Sequence, residues 1–218
     1  MIDLHTHSIF SDGELIPSEL VRRAEVIGYQ AIAITDHADL SNLDFIVTRI
    51  ASVCDDLSSK WKIKAIPGIE LTHLPPSLIS PLEKQARSLG ARIVVVHGET
   101  PVEPVIPGTN REALLSDIDI LAHPGLITEE EVGIAKERGI FLEITSRAGH
   151  CLTNGHVAKL ATRIGARLIL NTDAHAPGDL ISLEKARIVA MGAGLSEEEF
   201  NDARKNSMDI LEKLKARQ

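Results

Sequence analysis

Four times in this chain a helix-like stretch runs into a glycine, and an apolar, β-branched run follows within a few residues. The segments are VIGYQAIAI, SLGARIVVV, ERGIFLEI and RIGARLIL. Gly28, Gly90, Gly139 and Gly165 suit the left-handed C′ position that stops a helix, because a glycine has no Cβ to clash there. The runs that follow are continuous rather than alternating, as in strands covered on both faces. Repeated helix–stop–strand units build a parallel sheet with helices packed outside it.

Extending this pattern gives seven strands, near 2–7, 31–36, 62–70, 92–97, 118–123, 140–145 and 167–172. Helices are expected near 17–27, 42–59, 78–89, 109–116, 128–138, 153–164 and 182–193. Thr128 leads Glu129, Glu130 and Glu131, which suit the positive end of a helix. Ser196 with Glu199 forms a capping box for a last helix near 197–216. That helix carries Phe200, Ala203, Met208 and Leu211 on one side, the side expected against the exterior or bottom of a barrel. At 218 residues the chain suits one domain over 1–218. Aromatics make up only 3%, so the core is expected to be aliphatic.

Several classes are disfavoured. The net charge is −8 and no Lys/Arg cluster stands out, so stable nucleic-acid binding is not expected. No apolar run approaches the roughly 20 residues that span a bilayer, and no signal sequence precedes the first strand. Cys54 and Cys151 lack a paired spacing, which favours a reducing, cytoplasmic setting; Cys151 itself has no evident role. There is no GxxxxGK[ST] loop, no GxGxxG after a strand, no GxSxG elbow and no HExxH.

Metal-ligand residue types collect at the expected strand ends: His5-Thr6-His7, Asp36-His37, Glu70, His97, His123-Pro124 and Asp173-Ala174-His175. Imidazole and carboxylate are the ligands of borderline and hard ions. His5 and His7 are two apart on a strand and so share a face, as do Asp173 and His175. Asp12 lies in SIFSDGEL, where Gly13 allows a tight turn that folds a carboxylate back over the strand ends. Asp36 faces away from its neighbour His37 and is expected to support rather than ligate. Each residue alone is ordinary. Their common placement on one face predicts a shared metal site. In βα barrels that face carries the active site.

Two proline-rich stretches, HLPPSLISP at 73–81 and GETPVEPVIPGTN at 98–110, rise on the same face and are expected to shape the site. Arg147 and His150 follow the sixth strand in LEITSRAGH. Arg147 suits a phosphate, since its planar fork matches two oxygens. Both residues are candidate substrate contacts, and Glu143 in the same strand is expected to face the barrel interior. His156, inside an expected helix, reads as solvated.

Taken together, DLHTHSIFSDG, ITDH, GIE, VVVHGE, LAHPG and NTDAH resemble the PHP (polymerase and histidinol phosphatase) family, in order from residue 3 to about 175. The resemblance implies a distorted seven-stranded (β/α)7 TIM-like barrel. It also implies two or three divalent ions (zinc, manganese or iron) and phosphoester hydrolysis. Carried over by position, a first ion takes His5, His7, Glu70 and Asp173. A second takes His97 and His123 with Glu70 bridging, and a third takes Asp12, His37 and His175. Some relatives have His in place of Asp12, one residue further on. Catalysis is then expected at Glu70, His97, Asp173 and His175, with water activated between adjacent ions attacking phosphorus in line. The substrate expected first is a small phosphomonoester resembling histidinol phosphate. A nuclease or nucleotide phosphatase is the alternative within enzymes, and a non-catalytic subunit of a nucleic-acid-processing complex the alternative outside them.

Overall fold

A computed structural model describes residues 1–216. Among these residues are eight strands, all parallel, and eight α-helices, with a helix between most successive strands. The strands are β1 (Ile2–Asp3), β2 (Ala31–Ile34), β3 (His37–Ala38), β4 (Lys64–Leu71), β5 (Ile93–His97), β6 (Ile120–Ala122), β7 (Phe141–Thr145) and β8 (Leu168–Asn171). The helices are α1 (Pro17–Ile27), α2 (Leu43–Lys60), α3 (Ile79–Leu89), α4 (Thr109–Leu115), α5 (Glu129–Arg138), α6 (Asn154–Ile164), α7 (Leu183–Gly192) and α8 (Glu197–Ala216). The sheet order is β1-β2-β4-β5-β6-β7-β8, a nearly closed barrel of seven parallel strands. The short β3 was not foreseen. It pairs only with β4, placing His37 directly opposite Glu70.

The glycine stops act as their positions demand. Gly28, Gly90, Gly139 and Gly165 close α1, α3, α5 and α6 with φ between 69° and 113°. Thr128 starts α5 as expected and forms a capping box with Glu131. Ser196 and Glu199 exchange the same pair of bonds at the start of α8.

Barrel strands bury both faces, and the two faces have different partners. Outward residues such as Val94, Val96, Leu121 and Leu142 join the helices in one large aliphatic core. Inward residues such as Ile66, Ile93, Val95, Ile120, Phe141 and Ile169 fill the barrel interior. α8 closes the bottom, where Ile210 and Leu214 join this interior cluster. Phe200 and Ala203 are buried as expected, but Met208 is 45% exposed; Ile210 takes the inward position instead.

The seam between β1 and β8 closes unevenly. No regular ladder joins the strands themselves, and side chains substitute: Leu4 N donates to Asn171 Oδ1, and Thr172 donates through N and Oγ1 to Asp3. Backbone pairing appears only above them, where Thr6 bridges Ala174 and His7 N donates to Ala174 O at 2.8 Å. This late pairing fixes the HTH and DAH segments side by side.

Candidate metal centre

Along inward faces the interior changes character towards the strand C-termini. Ile66 and Gly68 give way to Glu70, and Ile93 and Val95 to His97. Period-two alternation makes this direct: each polar residue stands on the same face as the apolar residues below it. Thr6 Oγ1 donates to Ala33 O at 2.6 Å, so Thr6 faces β2 while His5 and His7 face the interior. His123 and Asp173 reach the centre differently, with φ at 28° and 54°. Non-glycine residues rarely adopt positive φ and do so chiefly at functional sites. The turn after His123 is equally constrained. A Cβ on Gly125 would lie 1.8 Å from Glu99 O, at a φ of 61°.

All nine side chains expected as ligands gather at this end, in overlapping groups: His5, His7 and Glu70; His5, His123 and Asp173; His7, Asp12, His37 and His175; and His97, His123 and His150. Glu70 sits in the middle, fully buried. Its Oε1 lies 3.3 Å from His5 Nε2 and 3.7 Å from His123 Nε2; its Oε2 lies 3.6 Å from His7 Nε2 and 2.7 Å from His37 Nδ1. Asp173 Oδ1 is 3.1 Å from His7 Nε2 and 3.6 Å from His5 Nε2. Asp12 Oδ1 is 3.2 Å from His175 Nε2 and 3.5 Å from His37 Nε2. Two ligands bound tetrahedrally to one ion at about 2.1 Å stand roughly 3.4 Å apart, so these spacings suit shared ions.

The expected second set is regrouped. His97 falls within ligand distance of His123 together with His150, and separately of His73 with Glu103. His150, expected as a substrate contact, is buried with its ring 4.3 Å from that of His123. Arg147 is engaged elsewhere: Nη1 donates to Asp179 Oδ2 at 3.1 Å, and the same oxygen accepts from His175 N and Ala176 N. His156 donates to Ile127 O at 2.7 Å and is partly buried, rather than solvated as expected.

Hydrogen bonds orient the rings. Nδ1 of His5 donates to Glu143 Oε1, that of His97 to Gly98 O and that of His175 to Asp173 O. His37 Nδ1 lies 2.7 Å from Thr72 Oγ1. In the rings of His5, His97 and His175 Nε2 is thereby left facing the cluster, the arrangement metal-binding histidines adopt, whereas His37 Nδ1 also faces Glu70 Oε2. Glu143 does more than orient His5: its Oε1 accepts from Asn171 Nδ2 and its Oε2 from His123 N. Asp36 supports as expected, accepting from the N and Oγ of both Ser8 and Ser11 and so fixing the loop that carries Asp12.

Several buried polar atoms have no hydrogen-bond partner, among them His5 Nε2, both nitrogens of His7, Glu70 Oε1 and Asp173 Oδ1. An unpaired buried polar atom is costly, and ion coordination removes that cost. Electrostatics agree. Burial opposes the Glu70 charge, but His5 and His37 outweigh it and hold Glu70 well below the usual carboxylate range. Burial and neighbouring rings keep His7 and His123 well below the usual imidazole range, neutral and ready to ligate. Burial raises Asp173 to about 7.

Sequence reasoning passed over Glu103 and left Glu143 without a role. Glu143 had a signal, being a carboxylate inside a run of buried strand residues. Glu103 had none beyond its place in a proline-rich loop.

Comparison with known proteins agrees with this fold. The PHP domain family matches residues 3–100. An uncharacterized protein of Methanocaldococcus jannaschii is 54% identical over 202 residues, spanning 92% of this chain and 93% of its own. A probable phosphatase of Thermoanaerobacter pseudethanolicus is 26% identical, spanning 91% of this chain and 88% of its own. Among solved structures, histidinol phosphate phosphatase of Lactococcus lactis, complexed with zinc, L-histidinol and phosphate, has a TM-score of 0.60 at 20% identity. It covers 89% of this chain and 94% of its own. A chain in an archaeal ribonuclease P with mature tRNA has a TM-score of 0.74 at 14% identity, covering 98% and 91%. At such identities the likeness concerns the fold. The chain belongs to the PHP family.

Proposed function

We propose that this protein is a metal-dependent phosphoesterase acting on a small phosphomonoester, histidinol-phosphate-like in size, with two or three zinc, manganese or iron ions. The observation that carries the reading is the set of buried ligand atoms on His5, His7, Glu70 and Asp173 that lack hydrogen-bond partners yet stand at ligand spacing. His5, His7, Glu70 and Asp173 hold one ion. His97 and His123, with Glu70, would hold a second, and Asp12, His37 and His175 would hold a third. Bound divalent ions would acidify water and neutralise phosphoryl charge.

The chain's own residues supply the rest. Glu70, His97, Asp173 and His175 form the catalytic centre. Glu143 holds His5 in its ligating orientation, and Asp36 holds the Asp12 loop. Arg147, one turn of chain from His150, is placed by this reading at the phosphate. The names of the relatives support it: a probable phosphatase along most of the chain, and a phosphatase whose structure holds zinc and phosphate. Two unpaired cysteines suit a cytoplasmic setting, and no helix among the described residues is long and apolar enough to cross a membrane.

A panel of phosphomonoesters, nucleotides and single-stranded oligonucleotides, assayed on protein of measured metal content, tests the proposal. Metal-dependent release of phosphate from a small monoester is expected. Preferred cleavage of oligonucleotides would favour the nuclease alternative. Metal-replete protein inactive on every substrate would favour a non-catalytic role.

A further inference from the structure

We propose that Glu103, carried on the proline-rich loop between β5 and α4, is a displaceable ligand of the ion held by His97. The inference rests on the metal-dependent reading above. Glu103 Oε2 lies 3.2 Å from His97 Nε2 and 3.0 Å from His73 Nε2, and its Oε1 lies 3.3 Å from His150 Nε2. Three imidazoles from three different loops and strand ends thus converge on one carboxylate. These separations again suit ligands of a single ion, for which roughly 3.4 Å is expected.

His97 decides how the rim groups are read. Its Nδ1 faces Gly98 O, so Nε2 is its one free ligand atom. Yet His97 belongs to two groups, one with His123 and His150 and one with His73 and Glu103. A single nitrogen lone pair serves one ion, so the two groups are two sides of one coordination sphere. On the inner side His97, His123 and His150 are all buried. The outer side is Glu103, 37% exposed at the rim.

The loop is built to deliver this carboxylate. Glu99 Oε1 accepts from Gly108 N and Asn110 N, closing the loop at its base. Asn110 Nδ2 in turn donates to Pro124 O, tying the loop to the turn that bears His123. A catalytic ion keeps one position for substrate. A rim carboxylate is an oxygen ligand of the same kind as a phosphoryl oxygen, and it has solvent to move into. Glu103 therefore occupies the substrate's position until phosphate displaces it.

The test compares wild type, Glu103→Gln and Glu112→Gln; the last removes the same charge from an exposed position on neighbouring α4. Manganese(II) titration calorimetry and cobalt(II) visible absorption are measured, with and without inorganic phosphate. Glu103→Gln is expected to weaken one ion by about 10- to 100-fold, at least the scale on which a metal site responds to loss of an outer partner. Its cobalt spectrum should differ from wild type, and Glu112→Gln should change neither readout. Added phosphate should make the wild-type and Glu103→Gln spectra converge, because Glu103 has then left the ion. Wild-type affinity and an unchanged spectrum in Glu103→Gln would overturn the ligand assignment. Spectra that stay apart in phosphate would overturn the displacement. Wild type that binds neither manganese nor cobalt would instead remove the metal-dependent reading itself.

Discussion

At the scale of single residues, Glu70 concentrates the chemistry. Each of its oxygens faces two different imidazoles, so neutralising it disturbs every neighbouring ion position at once. Glu70→Gln is expected to lower activity by about 100-fold or more, the scale of losing a preorganised electrostatic contact. Metal content should fall while circular dichroism stays native, since the aliphatic barrel does not need the ions to form. Arg147→Ala separates two roles. A phosphate contact predicts binding weaker by about 1.5–3 kcal/mol, read as a higher KM with metal content unchanged. Loss of an ion instead would show that Arg147 acts through Asp179 on His175. Protonation sets a third expectation. Burial opposes a charged His37, but Glu70 and Asp12 outweigh it and raise it to about 9. Below that pH an incoming ion must expel the proton. Metal affinity should therefore fall as pH drops, with proton release visible as a buffer-dependent heat in calorimetry.

At the scale of elements, the strand ends and the bottom of the barrel are separable. α8 contributes Ile210 and Leu214 to the interior cluster, at the end away from the ligands. Ile210→Ala should cost about 2–5 kcal/mol by leaving a cavity. Chemical denaturation would show this, while metal stoichiometry of the folded protein should remain that of wild type. Glycine-stopped helices and their capping boxes were legible in the sequence because each is a local signal, complete within a few residues. The two-residue β3 was not, for His37–Ala38 has no periodicity of its own and forms only because β4 runs alongside. Met208 misled for a related reason. Helical spacing placed it with Phe200 and Ala203, but contact with β8 and β1 rotates the inward face onto Ile210.

For the whole molecule, ion binding and folding are linked through the same residues. An ion that binds only the folded barrel stabilises it by about 2.7 kcal/mol at a hundredfold excess over its Kd. At about 2–4 °C per kcal/mol for a chain of this size, one ion should raise Tm by roughly 5–10 °C. Differential scanning calorimetry of chelated and manganese-loaded protein measures it. Equal Tm values at saturating metal would mean that the ions do not bind the native state. The sequence by itself determined the repeated helix–strand units of a parallel α/β sheet, their order and the face on which the ligands gather, because continuous apolar runs and glycine stops act between near neighbours in the chain. Only the tertiary structure decided which ligand meets which. The late β1–β8 pairing set His7 beside Asp173, positive φ turned His123 and Asp173 inward, and a closed loop brought Glu103 to His97. These are contacts between residues far apart in sequence. Their geometry depends on strand register and loop closure, and no local pattern of residues records either.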